Sequence, residues 1–159
     1  NFNMNIGRQA IGLVNPLTVS RSATDALKKG WLRKSDTICM NSEHLLATAK
    51  HKVLELSEAG YKPPKFREDL SLPGMTLRTM ASVGLKAMKA QGKISDHDEL
   101  VASKTAFVLS GGDKGGLMSK VDEQYVLDIE REAFVSLAGE KLSQDRIRFM
   151  LNKGKPLRN

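Results

Sequence analysis

Acidic side chains flank a histidine at Ser95-Asp96-His97-Asp98, where residue types and spacing come closest to those of a catalytic or metal site. A histidine beside two carboxylates could bind a metal ion or exchange protons. The same residues are typical of a helix N-terminus, where a serine cap and acids in the first turn meet unpaired N–H groups. Because adjacent residues diverge around a helix, we expect His97 and Asp98 to point apart. The capping interpretation is therefore favoured.

Two further histidines, His44 and His51, are seven residues apart on one predicted helix. A helical metal pair usually has an i, i+4 spacing, and no third ligand lies near them in the sequence. We therefore expect solvent-exposed histidines and predict no metal ligands in this chain.

The stretch Gly111-Gly112-Asp113-Lys114-Gly115-Gly116 invites comparison with loops that bind phosphate. It matches neither the G-x-x-x-x-G-K-[ST] pattern nor the dinucleotide G-x-G-x-x-G pattern, and it follows a predicted helix instead of a strand. We predict a flexible turn between helices and no cofactor held by this chain.

A third charged cluster, Glu130-Arg131-Glu132, lies in the middle of a predicted helix beside apolar neighbours. A buried charge needs a partner, so we expect one member to be partly buried in an internal or interdomain salt bridge. No Ser-His-Asp or Cys-His arrangement can be read from the sequence, and we predict no catalytic residue.

Basic residues give the chain a net charge of +7, and they are densest at Lys28, Lys29, Arg33 and Lys34 and again from Arg146 to Arg158. Such a surplus permits binding to a polyanion. Nucleic-acid binding is not favoured, because aromatic residues make up only 5% of the chain and no reading motif is present. A solvated or phosphate-facing surface fits better. A basic helical adaptor that binds a polyanion or a protein partner stays open as an alternative function.

The length of 159 residues predicts one domain, or one with a small appendage. No apolar run approaches the ~20 residues of a membrane-spanning helix, and the first residues do not have the order of a signal peptide. The lone Cys39 fits a reducing compartment, so we expect a cytoplasmic location. The chain begins at Asn1 without a methionine, from which we expect a piece of a longer protein.

The elements that hold these residues are predicted to be helices. Caps and glycine stops place them at 20–29, 41–59, 75–91, 95–110, 120–138 and 143–152, with Ser143 as the cap of the last. Residues 36–40 form a short extended stretch, Pro16 interrupts any helix in residues 1–19, and Pro63-Pro64 makes residues 61–73 a linker. We predict a mainly α fold with five to six helices and at most one or two short strands.

Helical angles predict which side of each helix is buried. The predicted apolar face of the helix at 41–59 contains Leu45, Leu46, Ala49, Val53 and Leu56. In the later helices the predicted inward residues are Leu77, Met80, Ala81, Gly84 and Met88, then Leu100, Val101, Phe107 and Val108, then Val126, Ile129, Ala133 and Leu137, and finally Ile147, Met150 and Leu151.

Three stretches of the sequence resemble bacterial 3-hydroxyacyl-CoA dehydrogenases that carry a crotonase-type, enoyl-CoA hydratase-like region. Residues 18–41, with Ala49-Lys50 and Gly60-Tyr61-Lys62-Pro63-Pro64, are similar to the part that follows the active site of the crotonase-type region. Residues 94–112 are similar to that family's Ile-Ser-Glu-His-Asp helix and Gly-Gly turn. The most specific match is the ending, from Leu127 to Phe134 and from Met150 to Asn159.

The resemblance implies a parent enzyme of fatty-acid β-oxidation with an upstream NAD-binding dehydrogenase region. This chain would be the C-terminal helical part of the crotonase-like region, with residues 1–62 as the tail of that region and 63–159 as a helical subdomain. NAD and the catalytic groups would belong to upstream domains of the parent, so the fragment would be inactive alone.

By the same resemblance, these helices would cover the acyl-CoA site of the parent or pack between its subunits. Arg33 and Lys34 would lie near the phosphates of CoA. Without the upstream domains the chain would expose the apolar surface that normally meets them, which predicts self-association.

Overall fold

The computed structural model describes residues 19–159, so the predicted interruption at Pro16 lies outside the described residues. The described residues form two compact units, 19–65 and 66–159. Within these two units the structure contains six α-helices and no β-strand, which confirms the prediction of a mainly α fold.

Unit 19–65 contains two helices with strong local start and stop signals. Helix α1 is Ala23–Lys28, and the Ser22 side chain caps it by accepting a hydrogen bond from the Asp25 N–H. A 3₁₀ turn, Ser42–His44, leads into helix α2, Leu45–Glu58. Gly30 and Gly60 follow the two helices with φ of 76° and 73°, a conformation that favours glycine, so both predicted stops are confirmed.

The extended stretch predicted at 36–40 does not form a strand. Asp36 instead closes a turn, since its N–H donates to the Arg33 carbonyl at 3.0 Å. Its carboxylate accepts from the Arg33 N–H at 2.8 Å. A strand needs a neighbouring strand to take its backbone hydrogen bonds, and unit 19–65 has none among its described residues.

Unit 66–159 is a layered set of four helices. They are α3, Met75–Ala90; α4, Asp96–Leu109; α5, Glu123–Ala138; and α6, Lys141–Lys153. Helix α4 contacts both α3 and α5, and α6 packs on α5. The buried apolar side chains of this unit are Pro73, Leu77, Leu85, Ala102, Ala106, Val121 and Ile129.

The segments between the helices are fastened by backbone contacts. Leu70 and Val121 form an isolated antiparallel bridge, with N–H to carbonyl distances of 3.0 and 2.9 Å. Gly74 begins α3 with φ 59°, and a Cβ at this position would collide with the Gly115 carbonyl. The part of the predicted linker that belongs to this unit is therefore packed against the glycine-rich loop after α4.

The predicted inward faces are right for α5, partly right for α3 and α4, and wrong for α2 and α6, where every predicted inward residue is exposed. Ile129 is buried as expected. In α3, Leu77 is buried, but Met80, Gly84 and Met88 are exposed and Leu85 is buried instead, because the inward arc is turned toward the line Leu77–Ala81–Leu85.

Helix α4 turns its small side chains inward. Ala102 and Ala106 are buried, whereas the predicted inward residue Leu100 is exposed and Val101, Phe107 and Val108 are half-buried. Alanines four residues apart lie on the same side of a helix and let its neighbours approach closely. The larger side chains are therefore displaced to the edges of the contact.

Helix α6 begins three residues earlier than predicted. Its N-cap is Glu140, and Ser143 lies within the helix. The predicted inward residues Ile147, Met150 and Leu151 are exposed. The contacts of α6 with α4 are made by the polar side chains of Ser143 and Arg146. The predicted stop is confirmed, since Gly154 has the left-handed conformation with φ 63°.

Candidate functional site

The cluster Ser95-Asp96-His97-Asp98 caps helix α4. The Ser95 hydroxyl accepts from the Asp98 N–H at 3.1 Å, and the Asp98 carboxylate accepts from the Ser95 N–H at 3.0 Å. This reciprocal pair is a capping box, in which two otherwise unpaired backbone donors are satisfied. The predicted capping role is confirmed.

The Asp98 carboxylate has a second partner on α6. Arg146 Nη2 lies 2.8 Å from Asp98 Oδ1. Partial burial raises the pKa of Asp98, but the hydrogen bonds from Ser95 and Arg146 outweigh it and hold the pKa below its usual value. Arg146 also donates to Asn159, through Nε to Oδ1 at 2.6 Å and through Nη2 to the carbonyl at 3.1 Å.

His97 points to a different group on α6. Its side chain is buried, and Nε2 lies 2.9 Å from the Ser143 hydroxyl. His97 and Asp98 therefore diverge as predicted, and each fastens α4 to a separate residue of α6. Sequence reasoning missed Ser143 and Arg146 as partners, because 46 and 48 residues separate the members of these pairs and no local signal links them.

The remaining acids of the α4 N-terminus are tied to α3. Lys89 Nζ lies 2.8 Å from Glu99 Oε2 and 2.9 Å from Asp96 Oδ1. Hydrogen bonds to Glu99 and then to Asp96 raise the pKa of Lys89 above its usual value. The acidic cluster thus connects three helices through ion pairs and a hydrogen bond, which is an arrangement suited to packing.

The glycine-rich loop joins α4 to the segment before α5, as predicted, but its first half is packed. Gly111 and Gly112 are buried with φ of 83° and 56°. A Cβ at Gly112 would lie 2.8 Å from the Tyr125 hydroxyl, and one at Gly115 would collide with the Ser110 carbonyl. The chain's own atoms therefore pack closely around this part of the loop, and the predicted flexible turn is wrong for its buried half.

Arg78 is a half-buried contact of this loop that the sequence did not indicate. Its guanidinium lies over the Phe107 ring, 5.3 Å from the ring centre, and its Nη1 donates to Asp113 Oδ1 at 3.1 Å. Its Nε is buried without a hydrogen-bond partner. The Arg78 side chain therefore fixes the loop against α3 at the cost of one unsatisfied donor.

The basic patch of unit 19–65 divides into engaged and exposed residues. Lys29 Nζ contacts Asp25 Oδ2 at 2.7 Å and the Val19 carbonyl at 3.0 Å, and it lies over the Trp31 ring. Hydrogen bonding to Lys29 and then to the Arg21 N–H lowers the pKa of Asp25. The side chains of Lys28, Arg33 and Lys34 are exposed.

The other sequence candidates lie on surfaces. His44 and His51 are exposed, as predicted, along a shallow concavity that Ala47 and Thr48 complete. All three residues of Glu130-Arg131-Glu132 are exposed, so the predicted partial burial is wrong. Arg131 pairs within its own helix, 3.1 Å from Asp128.

Residues 19–159 contain neither a cluster of metal ligands nor a helix that could span a membrane. No group of three or more His, Cys, Asp or Glu residues in this part of the chain could hold a metal ion. No helix among the described residues is long and apolar enough to cross a membrane.

Comparison with known proteins gives one clear similarity. No family model and no solved structure matches the chain. The chain is 42% identical over 156 residues to a probable 3-hydroxyacyl-CoA dehydrogenase of Bacillus subtilis, an alignment that covers 98% of this chain and 20% of that protein. The chain thus spans about a fifth of the length of the relative it matches. This similarity confirms the predicted resemblance of the chain to part of a 3-hydroxyacyl-CoA dehydrogenase.

Proposed function

We propose that this chain is the C-terminal helical part of a fatty-acid β-oxidation 3-hydroxyacyl-CoA dehydrogenase with an enoyl-CoA hydratase-like region. Its role is to cover the acyl-CoA site or to pack subunits together, and it is not catalytic alone. The observation that carries this proposal is the 42% identity over 98% of the chain to one fifth of a probable 3-hydroxyacyl-CoA dehydrogenase.

The use of polar groups in unit 66–159 supports a packing role. The residues that most resembled a catalytic cluster, Asp96, His97 and Asp98, are engaged with Lys89, Ser143 and Arg146. Large apolar side chains are exposed on α2, α3, α5 and α6. Exposed apolar surface of this extent is typical of surfaces that meet another part of a protein.

The proposal assigns the chemistry to the parent enzyme. NAD binds in a dehydrogenase region upstream, and acyl-CoA binds where the upstream domains meet this chain. Residues 1–62 are the tail of the crotonase-like region, and residues 63–159 are the helical subdomain that follows it.

A chimera tests this role directly. The matching fifth of the Bacillus subtilis relative is replaced by this chain, and turnover is measured with 3-hydroxyacyl-CoA plus NAD and with enoyl-CoA. We expect the chimera to keep the turnover of the unmodified relative, and the isolated 159-residue chain to have none. Deletion of the matching segment, as a control, is expected to abolish soluble, active enzyme.

Two results would contradict the proposal. One is turnover by the isolated chain that a point variant such as His97→Ala abolishes, which would place chemistry within it. The other is full activity of the relative after deletion of the matching segment, which would remove any supporting role.

We also propose that Arg33 and Lys34 lie near the CoA phosphates in the parent. Both side chains are exposed within the turn that Asp36 closes, and nearby Lys29 is already paired with Asp25. In the chimera, Arg33→Ala with Lys34→Ala is expected to raise the KM for acyl-CoA about tenfold, through loss of charge-assisted contacts.

The matched control for this pair removes two exposed charges from the helices of the same unit. Lys28→Ala with Lys50→Ala lowers the net charge by the same amount, and we expect a change in KM of no more than about twofold. An unchanged KM in the Arg33, Lys34 double variant would remove this assignment while leaving the packing role untouched.

A further inference from the structure

Helix α6 is attached to unit 66–159 without a buried side chain of its own. No residue of Lys141–Lys153 is buried. The half-buried residues are Ser143, Asp145, Arg146 and Phe149, and Phe149 is the one large apolar side chain among them. The buried apolar side chains of the unit come from α3, α4, α5 and the segments that precede them. Apolar burial therefore holds α3, α4 and α5 together and contributes much less to the attachment of α6.

Two polar contacts join α6 to the N-terminus of α4. Ser143 Oγ lies 2.9 Å from the buried His97 Nε2, and Arg146 Nη2 lies 2.8 Å from Asp98 Oδ1. The Arg146 and Asp98 side chains are 24% and 32% exposed. Groups of this kind recover hydrogen bonds to water when their contact breaks, so each contact adds little net free energy. The polar attachment of α6 can therefore be exchanged for water.

The segment after α6 fixes the position of Arg146. Gly154 ends the helix in the left-handed conformation, and the chain returns far enough for Asn159 Nδ2 to donate to the Leu142 carbonyl at 3.1 Å. Arg146 donates to Asn159 through Nε and Nη2, at 2.6 and 3.1 Å. Because the guanidinium is rigid and planar, these contacts keep its Nη2 directed at Asp98. Asn159, Arg146 and Asp98 form one connected series, which we call the latch.

The other end of α6 has the properties of a hinge. Only Gly139 and Glu140 separate this helix from α5. Hinged elements change their backbone angles at the ends of helices, and glycine allows the widest range of angles. Rotation at these two residues would move α6 as a whole without disturbing the buried apolar side chains of α3, α4 and α5.

We propose that α6 is a hinged cover of the α4 N-terminus, which opens as one piece about Gly139 and Glu140 when the latch breaks. In the closed state the cover lies on His97 through Ser143. In the open state α3, α4 and α5 stay folded and His97 becomes accessible to solvent. This local opening requires less free energy than global unfolding, because α6 has no buried apolar side chain to expose. The inference does not depend on the function proposed above.

Hydrogen exchange of the full chain tests whether α6 opens separately. Amide exchange is followed by NMR at urea concentrations below the unfolding transition. Exchange through global unfolding accelerates steeply with urea, whereas exchange through a local opening depends on urea weakly, because little surface is exposed. We expect the α6 amides to exchange at least about tenfold faster than those of Ala102 and Ala106 in α4, with a clearly smaller urea dependence. Equal rates and equal urea dependence in the two helices would overturn the inference.

A matched pair of arginine variants tests the latch. Arg146→Ala removes the contacts to Asp98 and Asn159, and we expect the α6 amides to exchange about tenfold faster. The control, Arg148→Ala, removes an exposed arginine that contacts Asp145 within the same helix, and should accelerate exchange by less than about twofold. Asn159→Ala leaves the ion pair in place and should give an intermediate increase of about threefold. Equal effects of the two arginine variants would contradict the role of Arg146.

Histidine labelling tests what the helix covers. Diethyl pyrocarbonate acylates accessible imidazole nitrogens, and the exposed His44 and His51 are internal references in the same chain. In the wild type we expect His97 to react at least about tenfold more slowly than these two, because it reacts only from the open state. Arg146→Ala should accelerate labelling of His97 about tenfold, and Arg148→Ala should leave it unchanged. Faster α6 exchange with unchanged labelling of His97, in an Arg146→Ala chain with native circular dichroism, would show that α6 is not its cover.

Discussion

The two units bury very different amounts of apolar surface, as two helices of equal length show. Helices α2 and α4 each have 14 residues. In unit 66–159, α4 lies between α3 and α5 and buries His97, Ala102 and Ala106. In unit 19–65, α2 buries no residue, and Ala26 of α1 is the one buried apolar side chain among the described residues of that unit.

The difference shows that an amphipathic pattern and a buried face are separate properties. The apolar residues of α2 lie on one arc, yet Leu46 is 82% exposed. Helix α4 has a less regular pattern, and it is buried because two other helices lie against it. Local capping can define both helices, but tertiary packing stabilises only the second to a large extent.

A matched pair of leucine truncations gives the strongest test of this difference between the two units. Leu77 of α3 is 1% exposed, so Leu77→Ala is expected to lower the free energy of unfolding by about 2–5 kcal/mol. Leu46→Ala in α2 removes the same atoms from a solvated site and should change the free energy of unfolding by less than about 0.5 kcal/mol. Urea unfolding followed by circular dichroism measures both.

An equal loss in the two leucine variants would show that α2 is covered in solution. That result would make the exposed face of unit 19–65 part of a stable interface. A small loss for Leu77→Ala would mean instead that unit 66–159 collapses around the missing side chain.

A pair of glycine substitutions tests whether close packing is also confined to one unit. Gly115→Ala places a Cβ against the Ser110 carbonyl, and overpacking of this kind costs about 1–3 kcal/mol, occasionally more. Gly60 has φ 73° but open space around a Cβ, so Gly60→Ala should cost only the left-handed strain of ~1 kcal/mol. Thermal unfolding of the two variants compares them, and a larger loss for Gly60→Ala would contradict the packing of the loop.

The part of this architecture that the sequence predicts is the part set by neighbouring residues. Ser95 caps its helix as expected. The sequence offers Ser20 or Ser22 as the cap of α1 and Asn41 or Ser42 as the cap before α2; in the structure Ser22 caps α1 and Asn41 caps the 3₁₀ turn that leads into α2. These caps can be predicted because a cap acts on backbone groups two or three residues away. The sequence also predicts Ser143 as a helix cap, but in the structure its hydroxyl contacts His97. This contact is set by tertiary packing between residues 46 positions apart. The inward faces of α3, α4 and α6 differ from the predicted ones for the same reason.

In the candidate site, too, contacts between neighbouring residues could be predicted and contacts between distant residues could not. The divergence of His97 and Asp98 follows from helix geometry and could be predicted. The ion pair of Asp98 with Arg146 could not, because a single sequence contains no signal that brings α4 and α6 together. The sequence predicts a flexible glycine-rich loop. Its burial could not be predicted, because it depends on contacts with the distant Gly74 and Tyr125.

Two aspartates give a smaller test, based on pH. Asp98 and Asp25 both have a pKa lowered by hydrogen bonds, Asp98 by Ser95 and Arg146 against its partial burial, and Asp25 by Lys29 and Arg21. Asp98→Asn is expected to cost about 1 kcal/mol at pH 7 through the weakened cap and ion pair. Asp25→Asn should cost less, because both partners of Asp25 lie four residues away in the same short segment, whereas Asp98 also links α4 to α6.

The sign of the pH effect follows from the direction of the pKa shift. A carboxyl group whose pKa is lower in the folded chain stabilises it fully above its unfolded pKa of about 4, and that stabilisation disappears as the pH falls through the folded value. The stability difference between wild type and Asp98→Asn should therefore shrink below about pH 4. A difference that stays constant down to pH 2 would show that Asp98 contributes nothing through its charge. NMR titration of the Asp98 carboxyl group gives the folded pKa directly.

The smallest effect compares one side-chain contact between separate elements from each unit. His97 Nε2 and Ser143 Oγ are 2.9 Å apart at a buried position, whereas Cys39 Sγ and Thr48 Oγ1 are 3.6 Å apart in the unit without a core. A double-mutant cycle with His97→Ala and Ser143→Ala should give a coupling of about 0.5–1.5 kcal/mol. The cycle with Cys39→Ala and Thr48→Ala should give a coupling near zero. The sulfur contact is weak, and in this solvated unit water can take its place when it is lost. Equal couplings in the two cycles would mean that burial does not strengthen the α4–α6 contact, and the contrast between the units would then rest on apolar packing alone.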